Sequence, residues 1–508
     1  MKLYKMIVNR VTMVALAIIV QVAWLFMFLF RLKLYFVPIS ALLSVLSLLV
    51  IVRIINKRDN PAFKLAWIVP IMAVPFFGGV IYLLTGGKLP TKKLRKSIEE
   101  SARITEPYYQ NNEEALEEID NINPYIAGQC RYIANQGFPI YKNTKAEYYP
   151  LGEECYRVML QELNKAKHFI FMEYFILEEG EMWDAILEIL ARKAKEGLDV
   201  RLIYDDVGSL NVLPYQYDKK MEALGIKCIA FNPFIPVFSA AMNYRDHRKI
   251  TVIDGHTAFT GGINLADEYI NKKSRFGHWK DNGVMLKGEA VRSFTLLFLT
   301  MWNAFRKTDE NLQRFMPDPS DYEIVDSEGY FAPYGDSPMD SEIIGENVYL
   351  NIINNAKKYL YIYTPYLIVD HEMMSALCRA SKRGVDVRII TPGIPDKKIV
   401  YQLTRSHYPE LMDNGIKIYE YSPGFLHGKC YVCDDEIATV GTINMDYRSL
   451  YLHFECGCFF YKSTVVAQVK EDFESTLNSC RPIHLEHRDQ GIIMDIYYAF
   501  LRLFSPLL

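Results

Sequence analysis

The sequence predicts an α/β fold of two homologous lobes preceded by an N-terminal transmembrane helical region, on three observations. Apolar runs of strand length alternate with helical segments through the body of the chain. The order of these segments repeats, with Asn164 answering to Asn354, at a spacing of roughly 190 residues that is too long for a solenoid repeat. The first 87 residues contain three long apolar runs without a charge.

The first run, Val11 to Phe30, is uncharged over 20 residues, enough to cross a bilayer core at helical rise. It is too long for the apolar stretch of a cleaved signal peptide and lacks a small-residue end. Runs from Tyr35 to Val52 and from Leu65 to Leu84 follow, so residues 1–87 read as a membrane anchor of two or three hydrophobic segments. The third carries Pro70, Pro75 and Gly78-Gly79, which predict a bend into a shallow or re-entrant element. Basic residues flank every run, so charge bias alone leaves the orientation open. Two spans and a re-entrant third would keep both basic ends in the cytoplasm. Nine scattered cysteines, an odd number, do not form the framework of a secreted disulfide domain and favour the same side for the body.

Residues 88–122 read as a polar linker in which "NNEEALEEIDNINP" predicts a short helix ending before Pro124. The first lobe is expected over 123–310, a connector over 311–340 and the second lobe over 341–482. Within the first, "HFIFMEYFIL" reads as a strand, "MWDAILEILARKAKEGL" as a helix and "DVRLIYDD" as another strand. Strands this apolar belong in a sheet covered on both faces. The repeat places the two lobes most simply about a pseudo-twofold axis. The tail, 483–508, holds an apolar and aromatic stretch from Ile492 that suits either an interfacial helix or a core-packing one.

The duplicated chemistry is His247-x-Lys249 with Asp254 downstream, and His427-x-Lys429 with Asp434 at the same distance. Gly261-Gly262-Ile263-Asn264 then matches Gly441-Thr442-Ile443-Asn444. In a strand, residues two apart share a face, so each histidine points with its lysine. The C-x-x-C pair, Cys430 and Cys433, stands where the first lobe has Ile250 and Ile253, and an extended strand turns the two thiols to opposite faces. Zinc needs convergent ligands, so no metal is expected, even with Cys456-x-Cys458 nearby. Two His-Lys pairs facing each other suit a phosphate diester: one histidine attacks phosphorus, the other protonates the departing alkoxide and later deprotonates the acceptor. The two lysines and two asparagines would hold the non-bridging oxygens without a cofactor. A net charge of −3 argues against a nucleic-acid partner.

These residues form the double H-x-K-x4-D signature, and the chain resembles the phospholipase D superfamily, within it most closely the bacterial cardiolipin synthases. The likeness runs through "MEYFI", "RLIYDDVGS", "NYRDHRKITVIDG" and "FTGGINLADEY" in the first lobe, and "YTPYLI", "RGVDVRIITPGIPDKKIVY" and "GTINMDYRSLYLHFE" in the second. It implies two phospholipase D-like lobes and a transferase of a bacterial cell membrane that joins two phosphatidylglycerol molecules into cardiolipin, releasing glycerol. By carry-over His247 is the nucleophile and His427 the acid and base, though motifs so similar could exchange roles. The resemblance also implies an acidic residue beyond each asparagine to orient the histidine, Glu455 in the second lobe and Asp281 as the first-lobe candidate. Asp254 and Asp434 belong to the motif but suit a structural role at the strand end. The other readings are a hydrolase or another phosphatidyltransferase using the same phosphoenzyme, and a membrane scaffold with a vestigial site; keeping both histidines, lysines and asparagines speaks against the scaffold.

Overall fold

The computed structural model describes residues 37–74, 92–234, 240–306, 311–316, 329–484 and 491–507, with Thr308 and scattered residues between 19 and 31 and between 78 and 82. They group into two compact units. One gathers Met1–Lys92, Asn232–Tyr244 and Gln490–Leu508; the other holds Lys93–Phe231 and Arg245–Asp489.

In the first unit the second and third apolar runs make a helical hairpin. A helix over Val37–Asn56 is followed by one over Pro61–Ala73, where Asn60 Oδ1 accepts from the Ala62 N–H at 2.9 Å and Pro61 occupies the first turn, where its missing N–H is not needed. Val50, Ile54, Ile71 and Tyr82 pack together with Trp67. Gly79 allows the close approach, since a Cβ there would lie 2.4 Å from Ser47 Oγ. Among the described residues no helix is long and apolar enough to cross a membrane. The second run lies in the helix Val37–Asn56, which takes in Arg53, and the third begins in the helix Pro61–Ala73, which ends at Val74. The run from Val11 to Phe30 lies largely outside the described residues. The C-terminal helix, Ile492–Phe504, packs on the Pro61–Ala73 helix and leaves Ile492, Ile493, Ile496 and Phe500 exposed.

The stretch read as a linker is structured. Lys92–Thr105 is a helix burying Ile98, Ser101 and Thr105, and Ser101 Oγ donates to the Thr300 carbonyl at 2.7 Å. The expected short helix is present over Glu113–Ile122, capped by Asn112, and Asn123 caps the next one, Pro124–Asn135.

The strands of the first lobe are β1 (Thr144–Tyr149), β2 (Phe169–Tyr174), β3 (Asp199–Asp205), β4 (Lys227–Phe231), β5 (Arg245–Asp246), β6 (Lys249–Ile253), β7 (Thr257–Gly261), β8 (His278–Lys280) and β9 (Gly283–Gly288). Those of the second are β10 (Tyr330–Asp336), β11 (Tyr359–Tyr363), β12 (Leu367–Ile368), β13 (Asp386–Pro392), β14 (Lys417–Tyr421), β15 (Gly424–Leu426), β16 (Cys430–Cys433), β17 (Ile437–Gly441), β18 (Met445–Asp446), β19 (His453–Tyr461) and β20 (Cys480–Pro482). The first sheet runs β1-β9-β7-β6-β2-β3-β4 and the second β10-β19-β17-β16-β11-β13-β14-β20, the same order strand for strand until β20 is added. The helices that follow β2 and β11 correspond as well. Glu181–Lys195 and His371–Lys382 each turn an apolar stripe inward, Trp183, Ile186 and Leu190 in one and Met373, Leu377 and Ala380 in the other. Both end at a glycine with positive φ, Gly197 at 98° and Gly384 at 94°, as a left-handed C-terminal cap requires.

The lobes exchange short strands. β5 of the first lobe pairs in parallel with the start of β19, setting Arg245 beside His453 and Asp246 beside Phe454. β15 of the second pairs in parallel with β8, setting Phe425 beside Trp279 and Leu426 beside Lys280. Reciprocal pairing of this kind is what a pseudo-twofold axis produces.

Candidate active site

The strand exchange carries both histidines to the lobe boundary. Immediately after β5, the His247 N–H donates to the Phe454 carbonyl at 2.9 Å; immediately after β15, the His427 N–H donates to the Lys280 carbonyl at 2.7 Å. The residue after each accepting carbonyl is acidic. Glu455 places its carboxylate oxygens 2.8 and 3.0 Å from His247 Nδ1, and Asp281 Oδ2 lies 2.6 Å from His427 Nδ1. Each histidine is therefore held, backbone and ring, by the opposite lobe. The sequence supplied the acids but paired Glu455 with its own lobe; the structure pairs it with His247 and gives Asp281 to His427. The long separation of Asp281 from Asn264 in sequence has no bearing, because β8 returns it to the site.

A carboxylate on Nδ1 selects the tautomer that leaves Nε2 with a lone pair, the form a nucleophile or base must have. Burial reinforces this. Desolvation, helped by the neighbouring Lys249, holds His247 well below the ordinary imidazole range, and desolvation with Lys429 brings His427 down to about 4 despite Asp281. Burial also lowers Lys249 to about 8 and Lys429 to about 7 and pushes Glu455 up. Asp281 stays below the usual carboxylate range because His427 and Lys429 outweigh its burial. The site thus gathers cations in a dry setting, poised to be reprotonated by an arriving anion. Lys249 Nζ donates to the His247 carbonyl and Lys429 Nζ to the His427 carbonyl, and Lys429 Nζ lies 2.8 Å from the His427 Nδ1 that Asp281 engages.

The two motifs differ where the acid meets the glycine pair. A Cβ on Gly262 would stand 2.0 Å from Asp281 Oδ1, whereas the corresponding Thr442 hydroxyl donates to Glu455. Thr442 thus touches the acid that holds His247, a contact that the sequence showed only as a variation.

The other residues of the two motifs divide between scaffold and site. Asp254 and Asp434 stand apart from the histidines. Asp254 accepts from the N–H groups of Lys167, His168 and Phe169 at 2.7, 2.8 and 2.9 Å, and Asp434 from those of Lys357, Lys358 and Tyr359 at the same three distances. Both adopt positive φ, 51° and 56°, so they close the turn beyond the strand and gather the start of β2 and of β11. Asn264 is committed to the scaffold, its Oδ1 accepting from Ile176 N–H at 3.0 Å and its amide donating to Tyr269 at 2.7 Å, while Asn444 Oδ1 is buried without a partner. Cys430 and Cys433 are buried in β16, and burial pushes both thiols upward.

Among the described residues, His247, His453 and Glu455 form a set with ligating atoms within 4.8 Å of one another. Lys249, Arg245 and Arg448 surround His453 with positive charge, a setting that suits an anion and repels a metal ion. His453 is the residue that sequence reasoning missed; its signal was its place two residues before the predicted orienting acid. A cavity of about 700 Å³ opens beside Phe454 and Arg248, lined also by Arg103, Tyr109, Phe138 and Asp336, and contains neither histidine nor either lysine of the motifs.

The chain matches a family model described as cardiolipin synthase, PLD-like domain, over residues 159–302 and 349–477, and a phospholipase D-nuclease N-terminal model over 45–87. It is 35% identical over 475 residues to a cardiolipin synthase of Halalkalibacterium halodurans, covering 92% of this chain and 93% of that protein. It is 45% identical over 462 residues to an uncharacterized protein of Streptococcus mutans, covering 90% and 99%. The crystal structure of a phosphatidylserine synthase from Haemophilus influenzae shares the fold, with a TM-score of 0.55 and 14% identity over 72% of this chain and 95% of that one.

Proposed function

The chain belongs to the cardiolipin synthase family of phospholipase D-like proteins, and we propose that it joins two phosphatidylglycerol molecules through a phosphohistidine, giving cardiolipin and glycerol. The observation that carries the chemistry is the crossed pairing: two buried imidazoles, each with Nδ1 on the other lobe's carboxylate and each beside a lysine. In the first step Nε2 of one histidine attacks phosphorus, the phosphorus–oxygen bond to the head-group glycerol breaks, and the second histidine gives the departing oxygen its proton. In the second step that histidine takes the proton of the acceptor's hydroxyl, the new phosphorus–oxygen bond forms and the phosphorus–nitrogen bond breaks. Lys249 and Lys429 neutralise the non-bridging oxygens, so the reaction calls on no cofactor. One phosphodiester replaces another, and no nucleotide is consumed. Water is the competing acceptor, and a site this buried disfavours it.

The setting is the cytoplasmic side of a bacterial cell membrane. In support, the hairpin helices expose Leu42, Leu49, Val52, Leu65 and Met72, and the C-terminal helix exposes Ile492, Ile493 and Ile496. Apolar faces of this extent suit lipid. The run Val11–Phe30 is the candidate for a full span. All nine cysteines are free, as in a reducing compartment.

The test is to give the purified protein phosphatidylglycerol vesicles as its sole substrate. Equimolar cardiolipin and glycerol are expected. Phosphatidic acid with no cardiolipin would favour the hydrolase reading.

A further inference from the structure

We propose that His453, Arg245, Arg448 and Lys397 form a second anion pocket beside His247, which takes the acceptor lipid's own phosphodiester. The proposal rests on the phosphatidyl-transfer reading and names what distinguishes the acceptor from water.

The near-symmetry of the lobes reveals the pocket. Strand exchange makes the pair Arg245 and His453 the counterpart of the pair Phe425 and Trp279. Around His427 the positions are aromatic: Trp279, Tyr269 and Phe425 have ring centres 5.3, 5.5 and 5.8 Å away. Around His247 the corresponding ring is His453, at 5.4 Å, and its register partner is an arginine. Phe175 packs on His247 as well, at 5.0 Å, so the two sites, built alike, diverge at this one pair of positions, aromatic in one and charged in the other.

His453 is the independent sign of a missing ligand. Its side chain is only 10% exposed, and neither ring nitrogen has a hydrogen-bond partner; Glu455 Oε1 is 3.7 Å from Nδ1, beyond hydrogen-bonding distance. An unpaired buried polar group is expensive unless something arrives to bond it. Its charged surroundings are Arg448, Lys249, Arg245 and Lys397. The carboxylates facing those cations are Asp205, whose Oδ1 is 3.2 Å from Arg245 Nη1, Asp446 beside Arg448, and Glu455. Four cations thus stand around His453 against three carboxylates. A phosphodiester would accept from the neutral imidazole's N–H and meet the positive field.

The reaction supplies such an anion. An acceptor phosphatidylglycerol carries a phosphodiester one glycerol away from its reacting hydroxyl, whereas water and free glycerol carry no charge.

The test compares two acceptors in one vesicle assay, measuring cardiolipin formation and the exchange of labelled free glycerol into phosphatidylglycerol. Exchange uses the same phosphohistidine but an uncharged acceptor. In Lys397→Ala and His453→Leu the ratio of cardiolipin to exchange should fall roughly tenfold or more, the loss of one charge-assisted contact, and His453→Gln, which keeps an N–H donor, should recover part of it. An unchanged ratio, or both reactions falling in parallel, would overturn the pocket. A wild-type protein that performs neither reaction would instead remove the transfer reading beneath it.

Discussion

Replacing Glu455 by glutamine isolates the contribution of the crossed carboxylate. The side chain is fully buried, accepts from the Thr442 hydroxyl and bonds His247 Nδ1 at 2.8 and 3.0 Å. Glutamine preserves shape and volume but removes the charge, and its amide can face Nδ1 with an N–H, which favours the tautomer with the wrong nitrogen free. A hydrogen bond to a charged group in a buried site is worth about 1.5–3 kcal/mol; at the upper end, a barrier raised by about 3 kcal/mol slows kcat roughly a hundredfold. Because Glu455 touches the histidine and not the lipid, KM should hold. The assay is initial-rate cardiolipin formation in mixed micelles, with circular dichroism to confirm folding. A folded Glu455→Gln variant with kcat within about fivefold of the parent, about 1 kcal/mol, would refute the reasoning.

Three further outcomes follow from the same geometry. Asp254→Ala and Asp434→Ala each leave three backbone N–H groups unpaired and should lower stability by about 2–3 kcal/mol, read as a fall in melting temperature, with kcat per folded molecule retained. Lys429 titrates at about 7 and Lys249 at about 8 in the free enzyme; protonated lysine is the form that binds the phosphodiester, so affinity is complete below pH 7 and lost as pH rises, and KM for phosphatidylglycerol should climb between pH 7 and 9. Gly262→Ala drives a methyl group into the Asp281 carboxylate and should reduce turnover by at least an order of magnitude, a loss of about 1.4 kcal/mol or more, while Thr442→Ser, which keeps the hydroxyl donor, stays near the parent rate.

Strand and helix periodicity and the repeat were enough to read two α/β lobes, because "HFIFMEYFIL" and its counterpart each open with consecutive apolar residues, Phe169 to Met172 and Tyr359 to Tyr363, that a covered sheet accommodates on both faces. The histidine–lysine pairs were legible for the same reason: their spacing recurs where the scaffold recurs. What pairs with them was not, since the partners come from the other lobe through β5 and β15, strands of two and three residues too short to leave a periodic signal. His453 lay hidden because one histidine on a strand is indistinguishable from a packed one until its unpaired nitrogens and cationic neighbours are seen. The setting of Asn264 was not legible, because the motif reads alike whether the amide faces the substrate or, as here, the scaffold. In the N-terminal unit, hydropathy marked the apolar runs but not the end of the third run's first helix at Val74.

The double displacement is tested most directly by the stereochemistry at phosphorus, using a phosphatidylglycerol analogue with one non-bridging oxygen replaced by sulfur in a single configuration. Two successive in-line displacements, onto a histidine and then off it, predict a product with the configuration retained. Inversion would mean that the acceptor attacks the lipid directly, and would contradict a phosphohistidine formed between His247 and His427.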